Sequence, residues 1–253
     1  MDRILSREAS VAESYAAMEK LKIGIIGISG NAGASFVTGC FARYLANTRK
    51  HTPAVVELGR GSLFDSYGMD KRFAGREYFH FYKAVESNKS IRGMKNMDEG
   101  INWILQSPEE EKIKLTFEQK LRLESHAKGD VILCDLSGDK DQTYQLLQSM
   151  DQVIAIIDPM PSKMFEGYEF LRLLKAAEAD RGDIIYVINK INRGVNKRQM
   201  LDFLKIREPV YIPLVSTESI YTAEYNCRIP YTMSEVKSFL RDPFTEIASR
   251  LNF

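Results

Sequence analysis

The sequence lacks paired cysteines, a long apolar run and an excess of charge of one sign. Its three cysteines, Cys40, Cys134 and Cys227, are widely spaced and form no CxxC pair. They predict neither a disulfide framework nor a zinc site, and they suit a reducing compartment. No apolar run approaches the length of about 18 residues that a membrane-spanning helix needs, and the polar first residues do not resemble a signal peptide. We therefore expect a cytoplasmic protein with no transmembrane segment and no metal cluster.

The charges are nearly balanced, with 35 lysines and arginines against 34 acidic residues in a chain of 253. A net charge of +1 provides no global field that would attract nucleic acid or anionic lipid. Nucleic acid is therefore not an expected partner, although a basic segment at 69–95 leaves it open. Apolar residues make up 44% of the chain, which at this length suffices for the core of one large α/β domain.

Short, continuous apolar runs alternate with amphipathic stretches along most of the chain. Such runs are typical of strands that are covered on both faces, as in a parallel sheet. The stretches between them, notably residues 161–180 and 197–206, have helical periodicity. This alternation predicts a three-layer α/β domain, with a mostly parallel, twisted sheet of about seven strands and helices on both faces. The runs are KIGIIGI, AVVELG, DVILCDLSG, QVIAIIDP, IIYVINKIN and VYIPLV.

Two segments depart from this alternation. Residues 1–20 are rich in alanine and glutamate and predict an N-terminal helical extension, which leaves 21–253 as a single domain. Residues 69–128 interrupt the domain: 69–95 mixes bases with aromatic residues, and 98–127 has helical character, with Pro108 expected to start a helix. We interpret 69–128 as a divergent helical elaboration. It serves either as a cover over one sheet face or as a surface for a partner.

A glycine-rich turn follows the first apolar run, and an amphipathic stretch follows the turn. The turn runs from Gly27 to Ser35 and reads GISGNAGAS. A strand, a turn and a helix in this order direct backbone N–H groups toward a helix N-terminus, where they can hold a phosphate. Ser35 adds a hydroxyl that suits a magnesium ion, although a serine at a helix start also stabilises free N–H groups.

This turn resembles the phosphate loop of the MinD/ParA family of deviant P-loop ATPases, K-G-G-x-G-K-[ST]. Gly33, Ala34 and Ser35 stand where that family has Gly-Lys-Thr, and Ser29 stands at the position of its signature lysine. Both lysines are therefore missing. In phosphoryl transfer these lysines reach the terminal phosphates and stabilise the developing charge.

Later segments resemble the same family in the correct order. Asp135 and Gly138 match its Walker B pattern, and Glu57 and Gly59 occupy the two aspartates that follow its second strand. Further motifs are the Pro161-Ser162 helix start, Asn189-Lys190 at the position of the adenine-reading asparagine, and the tail at 211–231, which includes Pro213 and is similar to the family's I-P…A…P stretch. Asp135 is also interpretable as a turn cap, and Asn189 as a tie between a strand and a loop.

The resemblance implies a degenerate nucleotide-binding protein or pseudo-ATPase, a regulatory or scaffolding partner in spatial organisation, secretion or pilus assembly. It implies ATP or ADP with Mg²⁺ as ligand, with no ligand as the alternative, and a homodimer or another protein as partner. Missing lysines predict little or no hydrolysis, so we assign no catalytic residue. Ser35 and Asp135 are the expected metal ligands. The expected nucleotide contacts are Ser29, Gly30, Asn31, Ala32, Gly33, Ala34, Ser35, Phe36, Asn189 and Pro213.

Two other interpretations remain open. A G-x-x-G-x-x-G pattern after the first strand, with Glu57 ending the second, is also found in NAD(P)-binding reductases of the Rossmann type. Such reductases need a Tyr-x-x-x-Lys pair on a later helix, whereas here Tyr67 and Lys71 have that spacing directly after the second strand, which is the wrong place. The second possibility is an interaction module that uses the same fold without a ligand.

Overall fold

The computed structural model describes residues 20–59, 61–137, 142–181 and 184–253. The helix predicted for residues 1–20 and the Walker B match at Gly138 lie outside the described residues, apart from Lys20.

The described residues form one eight-stranded sheet in the order β3-β4-β2-β5-β1-β6-β7-β8. Seven strands run parallel, and only the short β3 pairs antiparallel to its neighbour. The predicted mostly parallel sheet is confirmed, with eight strands rather than about seven. The strands are β1 (Leu21–Gly27), β2 (Pro53–Glu57), β3 (Met97–Asp98), β4 (Ile101–Ile104), β5 (Val131–Asp135), β6 (Gln152–Ile157), β7 (Ile184–Ile191) and β8 (Val210–Pro213).

Helices cover both faces of the sheet, as predicted. The N-terminal and C-terminal helices, α1 and α10, pack on one face, and α5 to α8 pack on the other. Of the described helices, none is long and apolar enough to cross a lipid bilayer. The helices are α1 (Ala34–Thr48), α2 (Leu63–Ser66), α3 (Met69–Arg72), α4 (Phe81–Glu86), α5 (Phe117–His126), α6 (Thr143–Gln148), α7 (Pro161–Arg181), α8 (Lys197–Leu204), α9 (Thr217–Tyr225) and α10 (Ser234–Arg250).

The central strand β1 shows why the apolar runs are continuous. Successive strand side chains point to opposite faces. Ile23 and Ile25 therefore enter the core beneath α1 and α10, while Ile26 and Ile28 enter the core on the other face. Because both faces are covered, neither set of positions tolerates polar residues.

The helical prediction for 98–127 is wrong over its first part. Strands β3 and β4 occupy 97–104, Pro108 begins only a three-residue 3-10 turn, and α5 starts at Phe117 behind a capping box at Thr116. Strand β4 is short and carries a polar residue, Asn102, which obscures its strand character. The Asn102 side chain is nevertheless buried, because its oxygen accepts from the Asn96 N–H and its amide donates to the Lys128 carbonyl.

Many basic and aromatic side chains of segment 69–95 form ion pairs or pack in the core of the domain. Arg72 and Arg76 both pair with Asp98, and Arg76 also lies over the Phe73 ring at 4.6 Å. Phe81 and Tyr82 are buried in the core beneath α5 and α7. These aromatic rings are therefore occupied by packing and are not free to stack on nucleic acid bases.

The ends of β2 and β5 meet in a close backbone contact. The N–H groups of Leu58 and Gly59 both donate to the Asp135 carbonyl, at 2.9 and 3.1 Å. A Cβ atom added to Gly59 would lie 2.1 Å from the Ser137 carbonyl oxygen and 2.7 Å from its carbon. Glycine is thus required where the resembled family has an aspartate.

The carboxylate of Glu57 ties three segments together. One oxygen accepts from the N–H groups of Ser62 and Leu63 at the start of α2, and the other accepts from Gln106 N–H beyond β4. Glu57 is fully buried, and this burial raises the pKa of its carboxyl group to about 7. The three N–H donors lower the pKa, whereas the nearby Asp135 carboxylate raises it further.

We predict that Gly59→Ala destabilises the protein by about 1–3 kcal/mol, because the added methyl group strikes the Ser137 backbone, which cannot rotate away. Denaturant unfolding measures this. Gly194→Ala is the matched control, since its Cβ would meet only the end of the Asn192 side chain at 3.2 Å. Equal effects of the two substitutions would contradict the assignment.

We also predict that Glu57 makes the free energy of unfolding depend on pH. Its folded pKa of about 7 exceeds the ordinary value of 4.5, so folding favours the protonated form. This contribution is complete below about pH 4.5 and is lost as the pH rises through about 7, by up to roughly 3 kcal/mol. Urea unfolding across this range should show a fall in stability that Glu57→Gln reduces. Parallel pH profiles of the wild type and the variant would refute the prediction.

Candidate functional site

The glycine-rich turn lies at the carboxyl end of β1, where the parallel strands open a crevice. Strand β1 sits between β5 and β6; the chain leaves β1 through α1 toward β2 on one side of the sheet order and leaves β6 through α7 toward β7 on the other, and α1 and α7 lie on opposite faces. In open α/β sheets this reversal of strand order is where ligands bind. The turn ends at Gly33, the N-cap of α1, so the first N–H groups of this 15-residue helix face the crevice.

The shape of the turn depends on Gly33 and Asn189. Gly33 has a φ of 96°, and a Cβ atom there would lie 2.4 Å from Nδ2 of Asn189. That Nδ2 atom donates to the Ala32 carbonyl at 2.9 Å, so the buried Asn189 ties β7 to the turn. With Nδ2 engaged, Oδ1 is the atom that Asn189 can offer to a ligand. Asn31, with a φ of 61°, completes the bend.

Two cavities meet at this turn. One, of about 410 Å³, lies beside Asn189, and the other, of about 620 Å³, lies along the turn from Gly27 to Ser35. Both are lined by Gly33 and Ser35 of the turn, and by Ile220 and Glu224 of α9. The two cavities are therefore adjacent parts of one crevice.

The cavity beside Asn189 is mostly apolar and suits a flat ring. Phe36, Tyr67, Val215 and Pro230 line it together with Asn189. Tyr67 is buried, and its hydroxyl donates to the Ser35 carbonyl at 3.2 Å. The predicted contact at Pro213 is not a lining residue: Pro213 ends β8, and the two residues after it line the cavity instead.

The cavity along the turn is more polar than the cavity beside Asn189; Ser29 and Ser137 line it, and the buried Asp135 lies two residues before Ser137. Among the described residues, Ser29 Oγ, Ser137 Oγ and Asp135 Oδ2 are buried and accept or donate no hydrogen bond. Asp135 uses its other oxygen to accept from Ser137 N–H at 3.0 Å. Burial raises the pKa of Asp135, while Ser137 and Ser35 beside it favour the ionised form. Such hard oxygen atoms suit a magnesium ion.

A single carboxylate beside one hydroxyl is an incomplete set of metal ligands. Among the described residues, no group of three or more His, Cys, Asp or Glu side chains could hold a metal ion. Mg²⁺ commonly takes one or two protein ligands and completes its shell with water and the phosphates of a nucleotide. Ser35 and Asp135 fit that mode of binding, but not a resident metal centre.

The structure adds two residues at the turn that were not among the expected nucleotide contacts. Lys190 donates from Nζ to the Asn31 carbonyl and to Asp158, both at 2.7 Å. Glu166 of α7 accepts the Gly30 N–H at 2.9 Å. Lys190 directly follows Asn189, so the sequence could have indicated that it lies near the turn. Glu166 had no such indication, since it is 136 residues away from Gly30.

The interpretation as a reductase needs an acidic side chain that is free to bind a ribose, and a tyrosine and a lysine that face one site. Neither arrangement is present among the residues proposed for these roles. Glu57, the expected ribose ligand, is buried and holds backbone N–H groups. Tyr67 lies in the core beneath α1, whereas Lys71 is exposed.

No family model matches the chain, and no curated protein matches it in sequence. Solved structures, by contrast, match nearly all of it. A ParA family ATPase from Chlorobium tepidum TLS is 16% identical, with a TM-score of 0.74, and the match covers 89% of this chain and 99% of that one.

Two further structures were solved with nucleotides. A putative plasmid partition protein from Borrelia burgdorferi B31, bound to AMPPNP, is 17% identical with a TM-score of 0.67, covering 91% of this chain and 99% of that one. The septum site-determining protein MinD from Pyrococcus horikoshii OT3, complexed with Mg-ADP, is 14% identical with a TM-score of 0.66, covering 90% and 96%. At these identities the likeness extends to the fold alone. The chain therefore has the fold of the ParA and MinD ATPases.

Proposed function

We propose that this protein binds an adenine nucleotide with Mg²⁺ in the crevice at the end of β1 but hydrolyses it negligibly. The observation that carries the proposal is the junction of the two cavities at Gly33 and Ser35. An apolar slot on one side and a row of helix-start N–H groups on the other are what a base and its phosphates require.

Asn189 is the proposed base-reading residue. Its Nδ2 atom is held by the Ala32 carbonyl, which fixes the side chain and presents Oδ1 to the slot. An amide oxygen accepts from the exocyclic amino group of adenine. Phe36 and Pro230 line the same slot and supply apolar contacts for the ring.

The backbone of Ser29 to Ser35 is proposed to hold the phosphates. Ser35 and Asp135 would hold the magnesium ion, which would neutralise part of the phosphate charge. The buried Oδ2 of Asp135 supports this role: the Ser35 and Ser137 hydroxyls lie beside the carboxylate, but Oδ2 makes no hydrogen bond of normal geometry, and a cation would compensate the cost of burying its charge.

Negligible hydrolysis follows from the groups that the site does not present. Ala34 and Ser29 cannot stabilise charge on a transferred phosphoryl group. Lys190, the lysine at the turn, donates to the Asn31 carbonyl and to Asp158. Gly59, where the resembled family has an aspartate, has no room for a side chain. A site that keeps the groups for binding a nucleotide but lacks these lysines and this aspartate suits a regulatory or scaffolding protein. We place that protein in the cytoplasm and its role in spatial organisation, secretion or pilus assembly.

Such a role requires a protein partner or a homodimer. A groove of about 710 Å³ between α7 and α8 supports this, because its rim exposes apolar side chains. Phe165 is 69% exposed, Met160 59% and Leu214 52%. Among the structural neighbours, one is a MinC:MinD cell division protein complex from Aquifex aeolicus.

The proposal predicts that calorimetry detects Mg²⁺-dependent binding of ADP or ATP. Asn189→Ala should weaken binding of nucleotide by about 1–3 kcal/mol through the lost hydrogen bond. Because Asn189 also supports the turn, inorganic pyrophosphate is the control ligand that lacks a base. Equal weakening of pyrophosphate and ADP would remove Asn189 as the base-reading residue, and no binding of any of these ligands would refute the proposed function.

The proposal also predicts that the purified protein turns over ATP at a rate near background. Loss of a single transition-state donor typically costs about 10²–10³ in rate, although such losses are not additive. Ala34→Lys should tighten ATP binding without restoring turnover, because the groups absent at Ser29 and Gly59 are still missing. A robust Mg²⁺-dependent ATPase activity of the wild type that Asp135→Ala abolishes would contradict this prediction.

A further inference from the structure

A side-chain carboxylate already occupies one N–H group of the phosphate-binding turn. Glu166 Oε1 accepts the Gly30 N–H at 2.9 Å, the distance of a normal hydrogen bond. Its other oxygen, Oε2, pairs with Lys163 Nζ at 2.7 Å, one turn earlier on α7. The Gly30 N–H is thus engaged by an anion that belongs to the protein.

Packing holds α7 in the position that makes this contact. A Cβ atom on Gly167 would lie 2.8 Å from both Cγ1 and the carbonyl oxygen of Ile28, so the helix approaches the turn closely only because this residue is glycine. A Cβ on Gly30 would likewise lie 3.3 Å from Glu166 Oε1. The carboxylate therefore sits directly against the backbone of the turn.

Gly30 lies at the end of the turn that is farthest from the proposed base slot. The slot and the phosphate cavity share Gly33 and Ser35, whereas Ser29 and Gly30 line the phosphate cavity alone. A nucleotide whose base lies against Asn189 would place its first phosphates at Gly33 to Ser35. Its last phosphate would extend toward Gly30.

We propose that Glu166 limits the number of phosphates that the crevice accepts. The crevice would then bind a nucleoside diphosphate more tightly than a triphosphate. This inference rests on the proposed nucleotide binding. The phosphates of a diphosphate meet the N–H groups next to α1. A third phosphate would meet the Gly30 N–H, which is already engaged, and the Glu166 carboxylate, which is also negatively charged. No lysine at position 34 offsets this repulsion, because the residue there is Ala34. Glu166 is thus a specificity-determining residue.

The size of the preference is limited by exposure and by Lys163. The Glu166 side chain is 42% exposed, so solvent and salt screen its charge. Lys163 balances part of that charge, but it does not free the Gly30 N–H. We therefore expect a preference for ADP of about tenfold at low salt, which decreases as the salt concentration rises.

The test is calorimetry of ADP and ATP, each with Mg²⁺, on the wild type, Glu166→Gln and Glu169→Gln. Glu166→Gln keeps an oxygen for the Gly30 N–H but removes the negative charge. It should bring the two affinities within about threefold of each other by tightening ATP, with little change for ADP. Glu169→Gln is the matched control, because Glu169 is an exposed glutamate on the same helix that pairs with Arg172; it should leave the ratio unchanged.

Pyrophosphate and tripolyphosphate, as base-free probes, should show the same preference and the same response to Glu166→Gln. Lys163→Met is a second variant, with the opposite expected effect: it removes the positive charge that Lys163 places beside Glu166 and should widen the preference for ADP. A wild type that binds ADP and ATP equally, or a ratio that Glu166→Gln does not change, would overturn this inference and leave the proposed function intact. A wild type that binds none of the four ligands would refute the proposed function itself.

Discussion

The hydrogen bond between the Asn189 amide and the Ala32 carbonyl is the contact on which the candidate site depends. It joins the end of β7 to the turn after β1, and it requires Gly33, because any side chain there would occupy the position of the Asn189 amide. Gly33 is the N-cap of α1, so this contact lies directly at the start of the helix. The N–H groups of its first turn consequently open into the crevice and not into the core.

Two buried carboxylates lie side by side at the ends of the neighbouring strands β2 and β5, and they have different partners. Glu57 is paired in register with Asp135 and spends its oxygen atoms on three backbone N–H groups. Glu57 therefore holds the loops after β2 and β4 in place. Asp135 accepts one hydrogen bond and keeps Oδ2 without a partner. A buried oxygen in that condition costs stability, which is typical of a group reserved for a ligand.

The described residues around the crevice include two glutamates, and Ala34 stands where the resembled phosphate loop has a lysine. Glu166 and Glu224 both border the crevice, and Lys190 is committed to Asp158 and a turn carbonyl. With the described residues alone, binding of an anion would rely on backbone dipoles and on a metal ion. These bind a phosphate in the ground state, but they do not replace the mobile positive charge that phosphoryl transfer requires.

The class of fold could be predicted from the sequence, because short apolar runs that alternate with amphipathic stretches are typical of strands buried on both faces and separated by helices. The sequence also located the turn from Gly27 to Ser35, since glycine spacing after a strand is a local signal. It did not reveal β4, whose four residues are too few for periodicity and include a polar side chain that is satisfied only by distant backbone groups. Only the tertiary structure brought Glu166 to Gly30 and placed Ser137 against Gly59, since such contacts are set by how the elements pack and leave no pattern in the local sequence.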